Sequence, residues 1–224
     1  SLVNGYTNNA DFDVTIVWSK KLPTNRDQLI NSIHQNTGYL VVDYEEIHMD
    51  RFVLDGQEYN ISHIVLDEFN KQNKQVLSGE GFLTKNILQP IISTSGFYYG
   101  EIVKDENQNL SSLKKKLDNF PQALKVNTKK LFENRKQDYI NHITLFIKRG
   151  DTHALYKELV DAVEIFLIVY FAQNNVYYPG YKWLNKSIEK FKLDSQIPDL
   201  INQLFNGDTK MKLKKYGELI SLIY

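Results

Sequence analysis

Asp11 and Asp13 stand one residue apart at the head of Asp11-Phe-Asp-Val-Thr-Ile-Val-Trp18, a run that alternates polar and apolar residues as a half-buried strand does. Successive strand side chains point to opposite faces, so the two carboxylates share one face. Side by side they repel each other unless a cation lies between them, and hard oxygen ligands select a divalent ion such as Mg²⁺ or Mn²⁺. The spacing therefore reads as a metal clamp; the plainer alternative is a turn that leads into an ordinary strand. Upstream, Ser1, Gly5 and the polar residues 6–9 form a path on which the backbone can approach a phosphate closely.

The elements that must position these groups follow from periodicity. Phe12 to Trp18 reads as a strand closed by Lys20-Lys-Leu-Pro23, and Thr24 with Asp27 starts a helix over Arg26 to Gln35. Tyr39 to Ile47 and Arg51 to Leu54 are strand-like, and Asp55-Gly56 marks a hairpin into Glu58 to Val65. Helices follow at Leu66 to Leu77 and Leu83 to Ser93, Tyr98 to Lys104 is expected to close the sheet, and Asp105 to Asn109 is a polar linker.

From Leu110 the period becomes helical. Leu110, Leu113 and Leu117 share a face, Phe120-Pro121 breaks the chain, and a long helix runs to about Ile147. Arg149-Gly150-Asp151 ends it, with Asp151 or Thr152 capping the next helix and an Arg149–Asp151 ion pair expected at the junction. That next helix carries Leu155, Leu159, Val163, Phe166 and Tyr170 at helical spacing and is apolar around the rest of its circumference near Ile165 to Val169, as a central bundle helix would be; Pro179-Gly180 is expected to break it. Three more helices are predicted, at Lys182 to Phe191, Ile197 to Phe205 and Lys210 to Leu222. The chain thus reads as α+β, with a domain over residues 1–107 built on a small mixed sheet and a helical bundle over residues 108–224.

Composition bounds the function. The 224 residues balance 27 Lys and Arg against 27 Asp and Glu, yet residues 1–110 carry 8 against 15 and the remainder 19 against 12. An acidic part facing a basic one suits a cleft in which carboxylates hold a metal and the opposite wall meets a polyphosphate; the plainer reading is solvated helix surface. No basic stripe with interleaved aromatics points to DNA or RNA. Cysteine is absent, which is compatible with a reducing cytoplasm, and the longest apolar run, Ile165 to Ala172, is far short of the roughly 20 residues that cross a bilayer, so no membrane partner is expected.

Ser1, the loop with Gly5, and Asp11-x-Asp13 resemble the signature of the DNA polymerase beta-like nucleotidyltransferases, Gly-Ser, a loop, then Asp-x-Asp. The motif's glycine would precede Ser1, and the resemblance implies a further helix and strand before it, so that the core is N-terminally truncated in this sequence. The hairpin, Gly100-Glu-Ile-Val-Lys-Asp105 with Leu110, Asn119-Phe-Pro121, Arg149-Gly-Asp151, and Phe171-Ala-Gln-Asn-Asn175 leading to Tyr178-Pro-Gly-Tyr-Lys-Trp183 extend the resemblance to an uncharacterised bacterial family related to aminoglycoside nucleotidyltransferases. It implies transfer of a nucleoside monophosphate from ATP or another nucleoside triphosphate to a hydroxyl of a small molecule, an aminoglycoside-like acceptor among the candidates, with release of pyrophosphate. Asp11 and Asp13 would hold the Mg²⁺ or Mn²⁺ ions, and Ser1 and Gly5 the distal phosphates.

One departure bears on catalysis. The third carboxylate of the superfamily aligns with Asn60, which cannot take up a proton. Either Glu58, on the same strand face by period two, or Asp67 compensates, or the protein binds a nucleotide with little or no turnover as a degenerate, regulatory relative. Lys182 could reach the triphosphate or be plain surface. Tyr178 and Asn174 could meet the base or the acceptor, or be packing at a helix end. His63 could serve as ligand or base, or as a satisfied structural histidine beside Ile61 and Ile64. Acceptor, base preference and oligomeric state are not legible.

Overall fold

The computed structural model describes residues 12–24, 39–44, 47–82 and 89–224, with the backbone alone described for residues 39–44 and 47. Ser1, Gly5, Asp11 and the helix predicted at Arg26 to Gln35 lie outside the described residues. The fold is α+β. Two compact units divide it, residues 1–74 with 99–101 and residues 75–98 with 102–224.

The first unit is a four-stranded sheet of order β1-β4-β3-β2, made of β1 (Phe12–Trp18), β2 (Tyr39–Tyr44), β3 (Ile47–Leu54) and β4 (Gln57–Val65). β1 lies parallel to β4, while β4 with β3 and β3 with β2 are antiparallel, which makes the sheet mixed as expected. Asp55 and Gly56 take φ of 51° and 78°, the paired positive angles of a two-residue turn whose twist matches the strands it joins. One sheet face is aromatic: Phe12, Tyr59 and Phe52 lie side by side with ring centroids 5.3 and 5.2 Å apart. The same face carries Ile61, His63 and the fully buried Asp50.

Helix α1 (Leu66–Leu77) follows β4 directly, with Asp67 and Glu68 near its positive end and Phe69, Asn73 and Val76 buried on one stripe. It stops at Gly79, where φ is 84° and an added Cβ would sit 2.7 Å from the backbone of Ala123, so this position requires glycine twice over. Of the helix predicted at Leu83 to Ser93, the described part is α2 (Pro90–Tyr99).

The segment Tyr98 to Lys104 does not close the sheet. α2 continues to Tyr99 and the chain is then irregular to the next helix. A short apolar run carries no period of its own, and its docking decides: Ser95 Oγ donates to the Tyr177 carbonyl at 3.0 Å, and the Tyr98 ring meets Tyr177 edge-on at 5.1 Å.

The second unit is a helical bundle containing α3 (Asn109–Leu117), α4 (Gln122–Arg149), α5 (Thr152–Gln173), α6 (Leu184–Lys190), α7 (Ile197–Asn206) and α8 (Thr209–Ser221). Residues 75–98 pack with it, so the division falls earlier than the change of sequence character near residue 108. Asp105 is a cap rather than a linker residue, accepting from Leu110 N at 3.2 Å and Ser111 N at 2.7 Å. Desolvation opposes ionisation there, but the hydrogen bonds from Ser111, Leu110 and Asn109 together outweigh it and hold the carboxyl below its ordinary value.

α4 and α5 form an antiparallel hairpin. Gly150 turns at φ 68°, and Asp151 caps α5 by accepting from Ala154 N at 3.1 Å. Asp151 takes this cap in place of the ion pair expected with Arg149. α5 buries twelve residues, among them Phe166, Leu167, Ile168 and Val169, and is the central helix the sequence predicts. It ends before Pro179-Gly180. Asn175 adopts φ 59°, its N–H bonds Ala172 O at 3.0 Å and Val176 N bonds Phe171 O at 3.0 Å, the double closure that terminates helices at a left-handed residue. Val176 to Gly180 then runs as a buried strap, with Tyr177 Oη donating to Leu117 O at 3.0 Å.

Candidate functional site

Register places the predicted carboxylate site on the other face of the sheet. Asp13 of β1 is the Cα partner of Asn60 of β4, and Asn60 is the Cα partner of Arg51 of β3. Directly opposed residues point to the same side of a sheet, so Asp13, Asn60 and Arg51 form one row. Asn60 is largely buried and donates its side-chain amide to Asp13 Oδ1 at 3.3 Å, while Asp13 is exposed. Two residues along β4, Glu58 shares this face but is engaged by Arg51: Nε donates to Glu58 Oε1 at 2.6 Å and Nη2 contacts the same oxygen. The acid expected to compensate for Asn60 is thus the counter-ion of an arginine that sequence reasoning passed over. Asp67, the other acid considered, lies in the first turn of α1.

An exposed carboxylate is a hard oxygen donor and fits a divalent ion. The neighbouring amide is neutral, and among the described residues no group of three His, Cys, Asp or Glu side chains gathers. The described part of the row therefore supplies one carboxylate, that of Asp13, and not a cage of several. Asp11 lies outside the described residues.

His63 is engaged on both ring nitrogens. Trp18 Nε1 can only donate, and it reaches His63 Nδ1 at 3.1 Å, so Nδ1 accepts and the ring proton sits on Nε2, 2.6 Å from Asp50 Oδ2. With both nitrogens occupied in a buried site, the structural reading of His63 prevails over ligand or base. The Trp18–His63 bond also ties β1 to β4, which holds Asp13 beside Asn60.

The remaining predicted residues belong to the helical unit. Lys182 is exposed at the start of a short 3₁₀ turn, with Nζ 5.5 Å from the centroid of the Trp183 ring. Asn174 caps α5, donating to Tyr170 O at 2.9 Å. Tyr178 is wholly buried, edge-on to Phe171 at 5.5 Å, so its ring offers no open stacking surface. Its hydroxyl has no hydrogen-bond partner among the described residues, and burial, with Glu164 and Tyr181 adding to it, pushes the phenol well above its ordinary value. Glu164 accepts from Gln89 Nε2 at 3.2 Å, and burial followed by the charge of Asp161 raises its carboxyl. Neither Glu164 nor Gln89 stands out by motif; only the fold brings them near Tyr178.

Residues 92–184 match the family model of a domain of unknown function (DUF4037). The chain is also similar to the solved structure of a nucleotidyltransferase-like protein from Exiguobacterium sibiricum 255-15, with 13% sequence identity, a TM-score of 0.46, and coverage of 88% of this chain and 74% of that one. No curated protein matches. Among the described residues no helix is long and apolar enough to cross a membrane.

Proposed function

We propose that the protein binds a nucleoside triphosphate through a divalent ion held at Asp13 together with Asp11, and that its capacity for nucleotidyl transfer is weak or lost. The observation that carries this reading is the pairing of Asp13 with Asn60, the neutral amide that the sequence resemblance aligns with the superfamily's third carboxylate. A bound Mg²⁺ or Mn²⁺ would neutralise phosphate charge and hold the tail in line. Asp13 supplies a ligand oxygen. Asn60 keeps that carboxylate turned by its N–H, but its amide has no basic site for the proton of an attacking hydroxyl. Glu58, which could have taken that proton, has its charge committed to Arg51. Ser1 and Gly5 would meet the distal phosphates, as the motif implies.

Calorimetric titration with ATP and Mg²⁺ tests the binding. Heat of binding that Asp13→Ala abolishes is the expected result, and absence of binding at millimolar ATP would remove the proposal.

A second reading, nucleotidyl transfer to a hydroxyl of a small molecule, is favoured by the exposure of Asp13, which leaves an ion there open to solvent and to an acceptor. Pyrophosphate release with a panel of hydroxylated acceptors separates the two. Turnover that Asp13→Ala destroys would establish transfer; binding without release of pyrophosphate would favour the first.

A further inference from the structure

We infer that Arg51 is a phosphate-binding residue that stands in for a second metal ion, so that a nucleoside triphosphate is held by one divalent ion and one guanidinium. The inference rests on the proposed nucleotide binding and deepens it. Three observations carry it.

The row Asp13, Asn60, Arg51 crosses three neighbouring strands on one face. Arg51 is thereby about 10 Å, two strand spacings, from Asp13 across the sheet, with the neutral Asn60 between them. Among the residues of the four strands, Arg51 is the sole lysine or arginine. A polyphosphate anchored by an ion at Asp13 and extending along this row meets no other strand-borne cation.

The guanidinium is also prepared for the task. Glu58 takes a hydrogen from Nε and is in ion-pair contact with Nη2, which orients the fork, and the side chain is still 49% exposed. A guanidinium carries five N–H donors, and among the described residues Glu58 alone engages this one, which leaves the Nη1 hydrogens to a ligand. Arginine presents such hydrogens to phosphate oxygens in matched pairs, the geometry in which charge-assisted hydrogen bonds are strongest.

An aspartate at position 60 would add a negative charge that a second divalent ion could balance, whereas an amide adds none. Arg51, although paired with Glu58, is the one cation of this row and the group in it that can meet a phosphate directly. Glu58, on this argument, is a positioning residue for Arg51 and not a base.

The test is a calorimetric comparison of ATP and AMP binding in Mg²⁺, for the full chain and for Arg51→Ala and Arg51→Lys, with Mn²⁺ per bound ATP counted by electron paramagnetic resonance. Arg51→Ala is expected to weaken ATP binding about tenfold or more, as loss of a charge-assisted phosphate contact would, and to leave AMP, which lacks the β and γ phosphates, nearly unchanged. Arg51→Lys, which keeps the charge without the fork, should fall between and remains informative if the alanine variant does not fold. The unaltered protein should bind one Mn²⁺ per ATP. Equal ATP affinity in a folded Arg51 variant, equal losses for ATP and AMP, or two ions per nucleotide would overturn the role of Arg51 while leaving nucleotide binding intact. No ATP binding to the unaltered protein would overturn both readings.

Discussion

Asn60 donates its side-chain amide to Asp13 Oδ1 at 3.3 Å across the parallel pair β1 and β4. This bond joins the first acidic motif of the chain to the hairpin strand more than forty residues later, and it makes position 60 the natural point to alter the site. Asn60→Asp should place two carboxylates directly opposed on one face, which costs about 1 kcal/mol of stability without metal. Added Mg²⁺ should recover more than that loss. Thermal melting of both proteins with and without Mg²⁺ checks it: a variant whose midpoint does not respond to the ion more than the parent's would show that no ion sits at this pair.

The Trp18–His63–Asp50 chain should be a stabilising element of the sheet. Trp18→Phe keeps an apolar ring but removes the N–H that donates to His63 Nδ1, a lost hydrogen bond expected to cost about 1 kcal/mol. Urea denaturation measures this loss. The same variant should weaken nucleotide binding less than Asp13→Ala does, since Trp18 acts by aligning β1 and not by touching ligand.

Tyr178 and its buried hydroxyl make an opposite prediction. The oxygen has no partner, so Tyr178→Phe removes a desolvated polar atom without breaking a hydrogen bond. Stability should rise by about 1 kcal/mol in urea denaturation. A fall of similar size would reveal that the hydroxyl is held by a group that this arrangement does not include.

Glu164 gives the helical unit a pH dependence. Its folded carboxyl lies above the ordinary value of 4.5, chiefly through burial and then through Asp161, so between that value and its folded value the native state holds more protons than the unfolded one. Stability contributed by Glu164 is therefore complete below the unfolded value and is lost as pH rises through the folded one. Glu164→Gln should flatten this part of the curve. Melting temperatures from about pH 4 to about pH 7 for parent and variant provide the comparison; parallel curves would assign the dependence elsewhere.

Much of the architecture was legible because local chemistry and tertiary structure agree. Asp55-Gly56 demanded a two-residue turn, and that turn alone fixes Leu54 opposite Gln57 and hence Arg51 opposite Asn60. The pairing of Arg51 with the suspect amide is thus implicit in the hairpin turn, although a lone strand arginine carries no motif to mark it. Leu155, Leu159, Val163 and Phe166 likewise announce a buried helix by spacing.

Other features had no local signature. The apolar stretch Ile91 to Tyr99 is compatible with helix or strand, and its packing on Tyr177 selects helix. The end of α5 was sought at Pro179-Gly180, yet Asn175 can take the left-handed conformation and closes the helix earlier.

By itself the sequence determined the α+β order of elements, the hairpin register and the shared face of Glu58 and Asn60, because turn geometry and side-chain period act over a few residues. Tertiary structure alone decided that β1 lies parallel to β4 with Asp13 against Asn60, that Glu58 serves Arg51, that His63 is engaged on both nitrogens, and that the buried Tyr178 hydroxyl finds no hydrogen-bond partner among the described residues. Those outcomes depend on contacts between distant segments, where burial and the satisfaction of polar groups are settled by the whole fold and not by the pattern of neighbours along the chain.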